Sequence, residues 1–213
     1  MVVVITSLII TARMLYQDIY ANGTSVLSNE VLTNHAINAV FDTVSAITST
    51  GFAAIDFEKY GTFVSFTLMV VMFFGGMAGS TAGGAKIDRM IVMVKNIRNE
   101  FYKVLHPNSV MMVRIDGRVV PQFLVSRVVA FLSIFIFYIV VMALLYNFLG
   151  ISNPFDAFFT SMSCISNVGL NIVDNLADIH PLVKVLMSVE MLVGRLELFT
   201  VLVLFTRGFW TDD

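Results

Sequence analysis

Apolar positions in this chain fall in long continuous runs, interrupted by short polar or glycine-rich stretches, with no sustained two-residue alternation. Continuous runs of this kind predict helices rather than the strands of a β-barrel. The first run, residues 1–12, is short of the roughly 20 residues that cross a bilayer, and Arg13, Gln17 and Asp18 follow within two turns. Either neighbours finish this helix or it is the end of a helix that begins upstream; the second reading is favoured, so the sequence is expected to be a piece of a longer chain. No basic stretch precedes the run, as it would in a secretory leader. After a turn-like break at residues 21–25, residues 31–48 carry a helical pattern with polar Asn34, His35, Asn38, Asp42 and Ser45. That helix is too polar and too short to span, and is expected to be re-entrant. A charged turn (Asp56, Glu58, Lys59) leads into an apolar helix from residue 61 to residue 74.

Glycines at 75, 76, 79, 83 and 84 then make helix unfavourable, at about 1 kcal/mol each relative to alanine. The helix from residue 61 has by then risen only about 21 Å, so the chain is expected to unwind while still inside the bilayer. Residues 86–105 resume as a basic amphipathic helix, ended by His106, Pro107 and Asn108, and residues 110–121 read as a polar connection. Residues 123–149 form a long spanning helix with Arg127 near one end. Asn153 and Pro154 cap and start a short helix over residues 155–164, residues 181–206 span again, and residues 207–213 are a tail.

The order therefore repeats, and two polar strands mark the repeat. Ser45-Ala46-Ile47-Thr48-Ser49-Thr50-Gly51-Phe52 and Ser163-Cys164-Ile165-Ser166-Asn167-Val168-Gly169-Leu170 each end a short apolar helix and precede a long apolar run. They lie 118 positions apart (Gly169 minus Gly51), and Gly75-Gly76-Met77 and Val193-Gly194-Arg195 share that offset. A short helix stopping at a glycine-containing strand inside a membrane protein is how backbone carbonyls are turned toward a cation. Two ordinary glycine-capped helix ends are the bland alternative.

Composition agrees with a membrane-embedded helical protein: 57% hydrophobic residues, 13% charged, and a mean hydropathy of +0.84. Net charge is only -2, but its placement is informative. Seven of the 13 Lys and Arg fall between residues 86 and 118, whereas residues 22–59 and 149–184 contain only Lys59 and Lys184. Positive charge concentrates on cytoplasmic loops, so the basic segment is expected in the cytoplasm and both polar strands outside.

Several chemistries are disfavoured. Cys164 is the single cysteine, which leaves no internal disulfide or thiolate cluster. His35, His106 and His180 are dispersed, expected at helix ends or connections as caps or surface groups, and no transition-metal site is expected. Gly79 and Gly84 have the separation of a phosphate-binding loop, but Ala85 stands where lysine must follow and no strand precedes. No catalytic triad order or nucleotide fingerprint is present, so no enzyme is expected. Nucleic-acid binding is disfavoured because the basic residues flank a membrane segment. The sequon at Asn22 is a pattern common by chance. Arg195, near the middle of a long apolar helix, costs about 2.5–3.5 kcal/mol on insertion scales and must face protein or water. It is either an electrostatic barrier in an ion path or half of a buried ion pair, with Glu197 or Glu190 as the candidate partners.

Three features together resemble the Trk/Ktr/HKT superfamily of potassium transporters and channels, specifically its TrkH-like bacterial members: residues 48–52, the glycine-rich run 75–86, and Gly194-Arg195-Leu196-Glu197. The resemblance covers nearly the whole chain. It implies an all-α membrane protein of helix–pore helix–filter–helix repeats, four around one pore. Residues 1–85 stand as the third repeat, 86–118 as a basic cytoplasmic helix and connection, and 119–213 as the fourth repeat.

The resemblance further implies K⁺ as the transported ion, at a filter of Thr48, Ser49, Thr50, Gly51 and Phe52 with Ser166, Asn167, Val168, Gly169 and Leu170. The gate would comprise Gly75, Gly76, Gly79, Ser80, Thr81, Gly83, Gly84, Lys86 and Arg195. Implied partners are the N-terminal half of the same protein, a second copy in a homodimer, membrane lipid, and a cytosolic regulatory subunit. No cofactor is expected on this chain; nucleotide (ATP/ADP or NAD) would act only through that regulator. The implied location is the plasma membrane, the bacterial inner membrane, with several passes. A Na⁺-permeable or unselective member, a secondary transporter binding an anion at its broken helix, and a nonconducting assembly subunit remain open alternatives.

Overall fold

The computed structural model describes residues 1–22, 29–107, 109, 111–115, 117–173, 179–205 and 210. Gly23 and Thr24 of the sequon, Asn108, Asp116 and nearly all of the tail lie outside the described residues. The first unit comprises α1 (Val2–Asn22), α2 (Asn29–Ile47), a single 3-10 turn (Phe57–Tyr60) and α3 (Thr62–Phe74). After α4 (Ile87–Leu105) come two short strands, β1 (Arg114–Ile115) and β2 (Arg118–Val119). The second unit comprises α5 (Gln122–Leu149), α6 (Pro154–Ile165), α7 (Pro181–Arg195) and α8 (Leu198–Leu204).

Four sequence expectations change. The opening helix does not stop near residue 12; α1 has 21 residues, about 31 Å at the usual rise, because its polar end has partners. Gln17 Nε2 donates to the Lys59 carbonyl at 2.7 Å, and Asp18 pairs with His35 at 2.6 Å. His35 is consequently a buried residue inside α2 rather than a helix-end or surface group. The polar connection before α5 contains a two-residue antiparallel ladder turning at Gly117 (φ 78), with Val113 packed against Val92 and Val125. The expected single helix over residues 181–206 is broken at Leu196-Glu197, where Glu197 is left-handed (φ 62).

Other boundaries follow local chemistry. Asn153 Oδ1 accepts from Phe155 N–H at 3.1 Å with Pro154 at the first helical position, and His180 Nδ1 accepts from Leu182 N–H at 3.2 Å ahead of Pro181. Such caps satisfy amides that the first helical turn leaves unpaired. One core joins the two units: Ile10, Met14, Leu68 and Met72 of the first belong to the same buried cluster as Phe135, Ile139, Phe159 and Ile165 of the second. Outside that core α5 stays apolar, with Phe137, Leu144 and Phe148 more than 60% exposed. A helix hydrophobic on both its packed and its open faces suits lipid as solvent. Among the described residues two helices, Val2–Tyr20 and Gln122–Leu149, are long and apolar enough to cross a membrane.

Candidate functional site

The two polar strands share one backbone design. At the end of α2, Ser49 N–H donates to the Ala46 carbonyl and Thr50 N–H to the Ser45 carbonyl; at the end of α6, Asn167 and Val168 donate likewise to Cys164 and Ser163. These are Schellman closures, and their left-handed residues are Ser49 (φ 55) and Asn167 (φ 53). The helix ends are thus not glycine-capped. The glycines come two residues later, again left-handed, at Gly51 (φ 80) and Gly169 (φ 88), whereas Thr50 and Val168 between them are not. Each helix also directs its carboxyl end, with its partial negative charge, at the strand that follows.

Side chains behind the strands hold them differently. In the second copy Ser163 Oγ donates to the Leu170 carbonyl at 2.6 Å and accepts from Gly169 N–H at 3.2 Å. In the first, Asp42 on α2 accepts from Ala54 N–H at 2.6 Å. The strands lie side by side: a Cβ on Gly51 would stand 2.0 Å from the Val168 carbonyl oxygen and 3.6 Å from Gly169 Cα. Thr48 and Thr50 share a 2.8 Å hydroxyl bond. The last matched positions diverge, since Phe52 is 69% exposed and Leu170 is buried.

The glycine-rich run folds back on itself. Ala85 N–H donates to the Phe73 carbonyl and Ile87 N–H to the Gly76 carbonyl, both at 3.0 Å, closing a neck. That neck has no room for side chains, since a Cβ on Gly75 would stand 2.1 Å from the Gly83 oxygen, and one on Gly84 2.7 Å from the Met72 oxygen. Gly83 reaches the polar strands. Its N–H donates to Ser49 Oγ at 3.0 Å, Ser49 Oγ donates to the Ser166 carbonyl at 3.2 Å, and a Cβ on Gly83 would stand 2.0 Å from that same oxygen. Gly79, by contrast, has open space around its Cβ position, and Ser80 and Thr81 are exposed beside it.

Opposite the loop stands the broken helix. Arg195 Nη1 donates to the Thr81 carbonyl at 2.8 Å, while Gly194 packs beneath α6, where a Cβ would stand 2.1 Å from the Ile165 oxygen. Neither carboxylate considered from the sequence pairs with Arg195. Glu197 takes Lys86 Nζ at 2.6 Å and Arg89 Nη2 at 2.9 Å, and Glu190 is bonded by Tyr146 and Ser161. The Arg89 guanidinium also lies 4.0 Å from the Phe131 ring centroid. Lys86 is left-handed like Glu197 (φ 67), so an ion pair joins two strained helix starts. A cavity of about 300 Å³ lies among the loop, Asn167, Arg195 and Glu197.

Reading the sequence considered Glu197 only as a partner for Arg195, and assigned no role to Arg89, Asp42 or Ser163. The 118-residue offset held a clue, because Glu197 stands opposite left-handed Gly79 in that register. An acid inside an apolar helix was itself a signal. Among the described residues no group of three or more His, Cys, Asp or Glu could hold a metal ion. Cys164 is a buried free thiol packed in α6, and His106 closes α4 against Tyr102, with ring centroids 4.7 Å apart.

Comparisons with known proteins show the family and the fold. A family model described as TrkH, cation transport protein, matches residues 1–210. The Trk system potassium uptake protein TrkH of Salmonella typhimurium is 32% identical over 207 residues, covering 96% of this chain and 41% of that protein. Its counterpart in Halomonas elongata is 35% identical over 176 residues, covering 81% and 36%. The crystal structure of the potassium transporter TrkH from Vibrio parahaemolyticus superposes with a TM-score of 0.85 at 30% identity, covering 99% of this chain and 43% of that one. The chain therefore spans about two fifths of the length of these relatives. The fold is that of an all-helical membrane protein built from pore-helix repeats.

Proposed function

The chain belongs to the TrkH family of cation transport proteins, and from that premise we propose that it forms half of a K⁺-uptake pore, with residues 48–52 and 166–170 as two of its filter segments. The observation that carries this reading is the backbone of the two strands. In an extended strand successive carbonyls point to opposite sides. Left-handed residues alternating with ordinary ones, as at Ser49-Thr50-Gly51 and Asn167-Val168-Gly169, break that alternation and allow successive oxygens to be turned to one side. Such a row can replace the hydration shell of a cation. The close approach of Gly51 to the Val168 oxygen supports two segments sharing one axis.

The loop of residues 75–86 serves as the barrier beneath the filter, held up by Gly83 and latched below by Lys86, Arg89, Arg195 and Glu197. Lys86, Arg89 and Arg195 together outnumber the carboxylates of Glu197 and Asp88 that face the same loop, which leaves this level net positive. Among the described residues no carboxylate pairs with Arg195, and an ion passing about 6 Å from its charge meets about 3 kcal/mol of repulsion at an effective dielectric near 20. Arg195 thus limits flux and repels ions while its bond to Thr81 steadies the loop. Repeats at residues 1–85 and 119–213 are completed by the remaining part of the protein, and pairing of two copies and a cytosolic nucleotide-binding regulator extend the assembly. The basic segment 86–118 faces the cytoplasm of a bacterial inner membrane, where it offers the regulator a docking surface, and the filters face outside.

The test is ⁸⁶Rb⁺ uptake into liposomes carrying the complete protein, with competition by K⁺ and Na⁺. Uptake blocked by K⁺ at far lower concentration than Na⁺ is expected. Equal competition identifies an unselective pore, and no Rb⁺ uptake alongside accumulation of a small anion replaces the reading with secondary transport at the broken helix.

A further inference from the structure

Glu190 is wholly buried on α7 and has no part in the loop or the filter strands. Its carboxyl accepts from Tyr146 Oη on α5 through one oxygen and from Ser161 Oγ on α6, at 2.7 Å, through the other. Ser161 Oγ also lies 3.3 Å from the Ile139 carbonyl of α5. Among the described residues no Lys, Arg or His pairs with Glu190. Burying an ionisable side chain in an apolar helix bundle without a counter-charge is costly and needs a compensating role.

We propose that Glu190 is the positioning residue of the second filter segment: one carboxyl group clamps α5, α6 and α7 together and fixes the depth and rotation of α6. The inference rests on the K⁺-pore reading above. The path to the filter is short. Ser161 is two residues from Ser163, whose hydroxyl holds Gly169 N–H and the Leu170 carbonyl, and five residues from Ser166, where the segment begins. A small roll of α6 moves every oxygen of residues 166–169, and a dehydrated ion discriminates by the number and placement of such oxygens. Adjacent turns of one rigid helix transmit that roll directly.

Among the described residues of the two repeats, the clamp occurs in the second. At the 118-residue offset Glu190 corresponds to Met72 and Ser161 to Thr43, and Thr43 bonds its own helix at the Ala39 carbonyl. The first segment is secured locally instead, by Asp42 on the Ala54 amide. The two filter segments therefore depend on different supports, and loss of Glu190 misplaces one of them.

The experiment measures ⁸⁶Rb⁺ uptake and its competition by K⁺ and Na⁺ in liposomes carrying the complete protein, with folded protein quantified by size-exclusion chromatography. Glu190→Gln retains an acceptor for Tyr146 and a polar group for Ser161, and is expected to keep the K⁺/Na⁺ ratio within about threefold of the parent. Glu190→Leu removes both bonds and is expected to reduce that ratio at least tenfold, chiefly through greater Na⁺ competition rather than through lost protein. Should Glu190→Leu not fold, Ser161→Ala and Tyr146→Phe each break one bond and are expected to lower the ratio in the same direction. Unchanged selectivity in folded Glu190→Leu, or in both single-bond variants, overturns the proposal. A parent protein without K⁺-selective uptake instead defeats the pore reading itself, a result visible before any variant is made.

Discussion

Replacing Gly83 by alanine tests the proposed barrier, through the contact between the glycine-rich loop and the polar strand at Ser166, more directly than any charge change. Gly83 is not left-handed, so alanine imposes no backbone strain there; the cost is steric. Its Cβ would stand 2.0 Å from the Ser166 oxygen, 2.5 Å from the Ser166 carbonyl carbon and 3.1 Å from its Cα, all backbone atoms that no side-chain rotation can clear. Reaching ordinary contact requires a shift of about 1.0–1.4 Å, and the loop is the freer partner because α6 is buried along its last two turns. Such a shift carries the 3.0 Å bond from Gly83 N–H to Ser49 Oγ beyond hydrogen-bonding range. Overpacking together with one lost bond costs about 2–3 kcal/mol, a factor of roughly 30–150 in the population of the loop pressed against the filter. Gly79→Ala is the matched control, since it adds a methyl in open space and costs only the left-handed strain of φ 88. In complete protein reconstituted without a regulator, Gly83→Ala is expected to raise ⁸⁶Rb⁺ uptake at least tenfold, and Gly79→Ala by much less. Uptake at the parent level in folded Gly83→Ala, or an equal rise in both variants, refutes the loop as the barrier.

Gly51→Ala places a methyl 2.0 Å from the Val168 oxygen on a backbone that disfavours L side chains, so K⁺-selective uptake is expected to fall at least tenfold in the competition assay. Lys86→Met and Glu197→Gln should each raise resting uptake, and the double variant should exceed neither; the coupling expected for this partly exposed pair is about 1–2 kcal/mol, read from a double-mutant cycle of uptake rates. Additive effects would separate the latch from the gate. Asn153→Ala removes the cap of α6 for about 1 kcal/mol and should lower the thermal midpoint in detergent by about 2–4 °C while leaving ion selectivity unchanged.

Much of this architecture was legible because its causes are local. Continuous apolar runs mark α3 and α5, glycine clustering ends α3 at Phe74, and Asn153-Pro154 starts α6. The repeat was equally plain, because Gly51 and Gly169 stand in matching contexts and share a left-handed backbone. Arg195 stood out as a charge in an apolar helix. Less accessible was anything fixed by a partner distant in sequence. Gly194 alone marks the region of the break between α7 and α8, and it does not fix the turn; left-handed Glu197 is held there by Lys86 and Arg89, more than 100 positions earlier. α1 continues past Arg13 because a turn 42 residues away accepts Gln17.

The sequence by itself determined the membrane class, the two-unit plan and the residues of the polar strands, since hydropathy, turn chemistry and repetition are written into neighbouring positions. Tertiary structure alone decided that Gly83 presses on Ser166, that Glu197 serves Lys86 rather than Arg195, and that Glu190 ties α7 to α5 and α6. The reason is physical. A helix or a turn is chosen by interactions a few residues long, whereas the partner of a buried charge and the room left beside a glycine exist only after distant segments have packed.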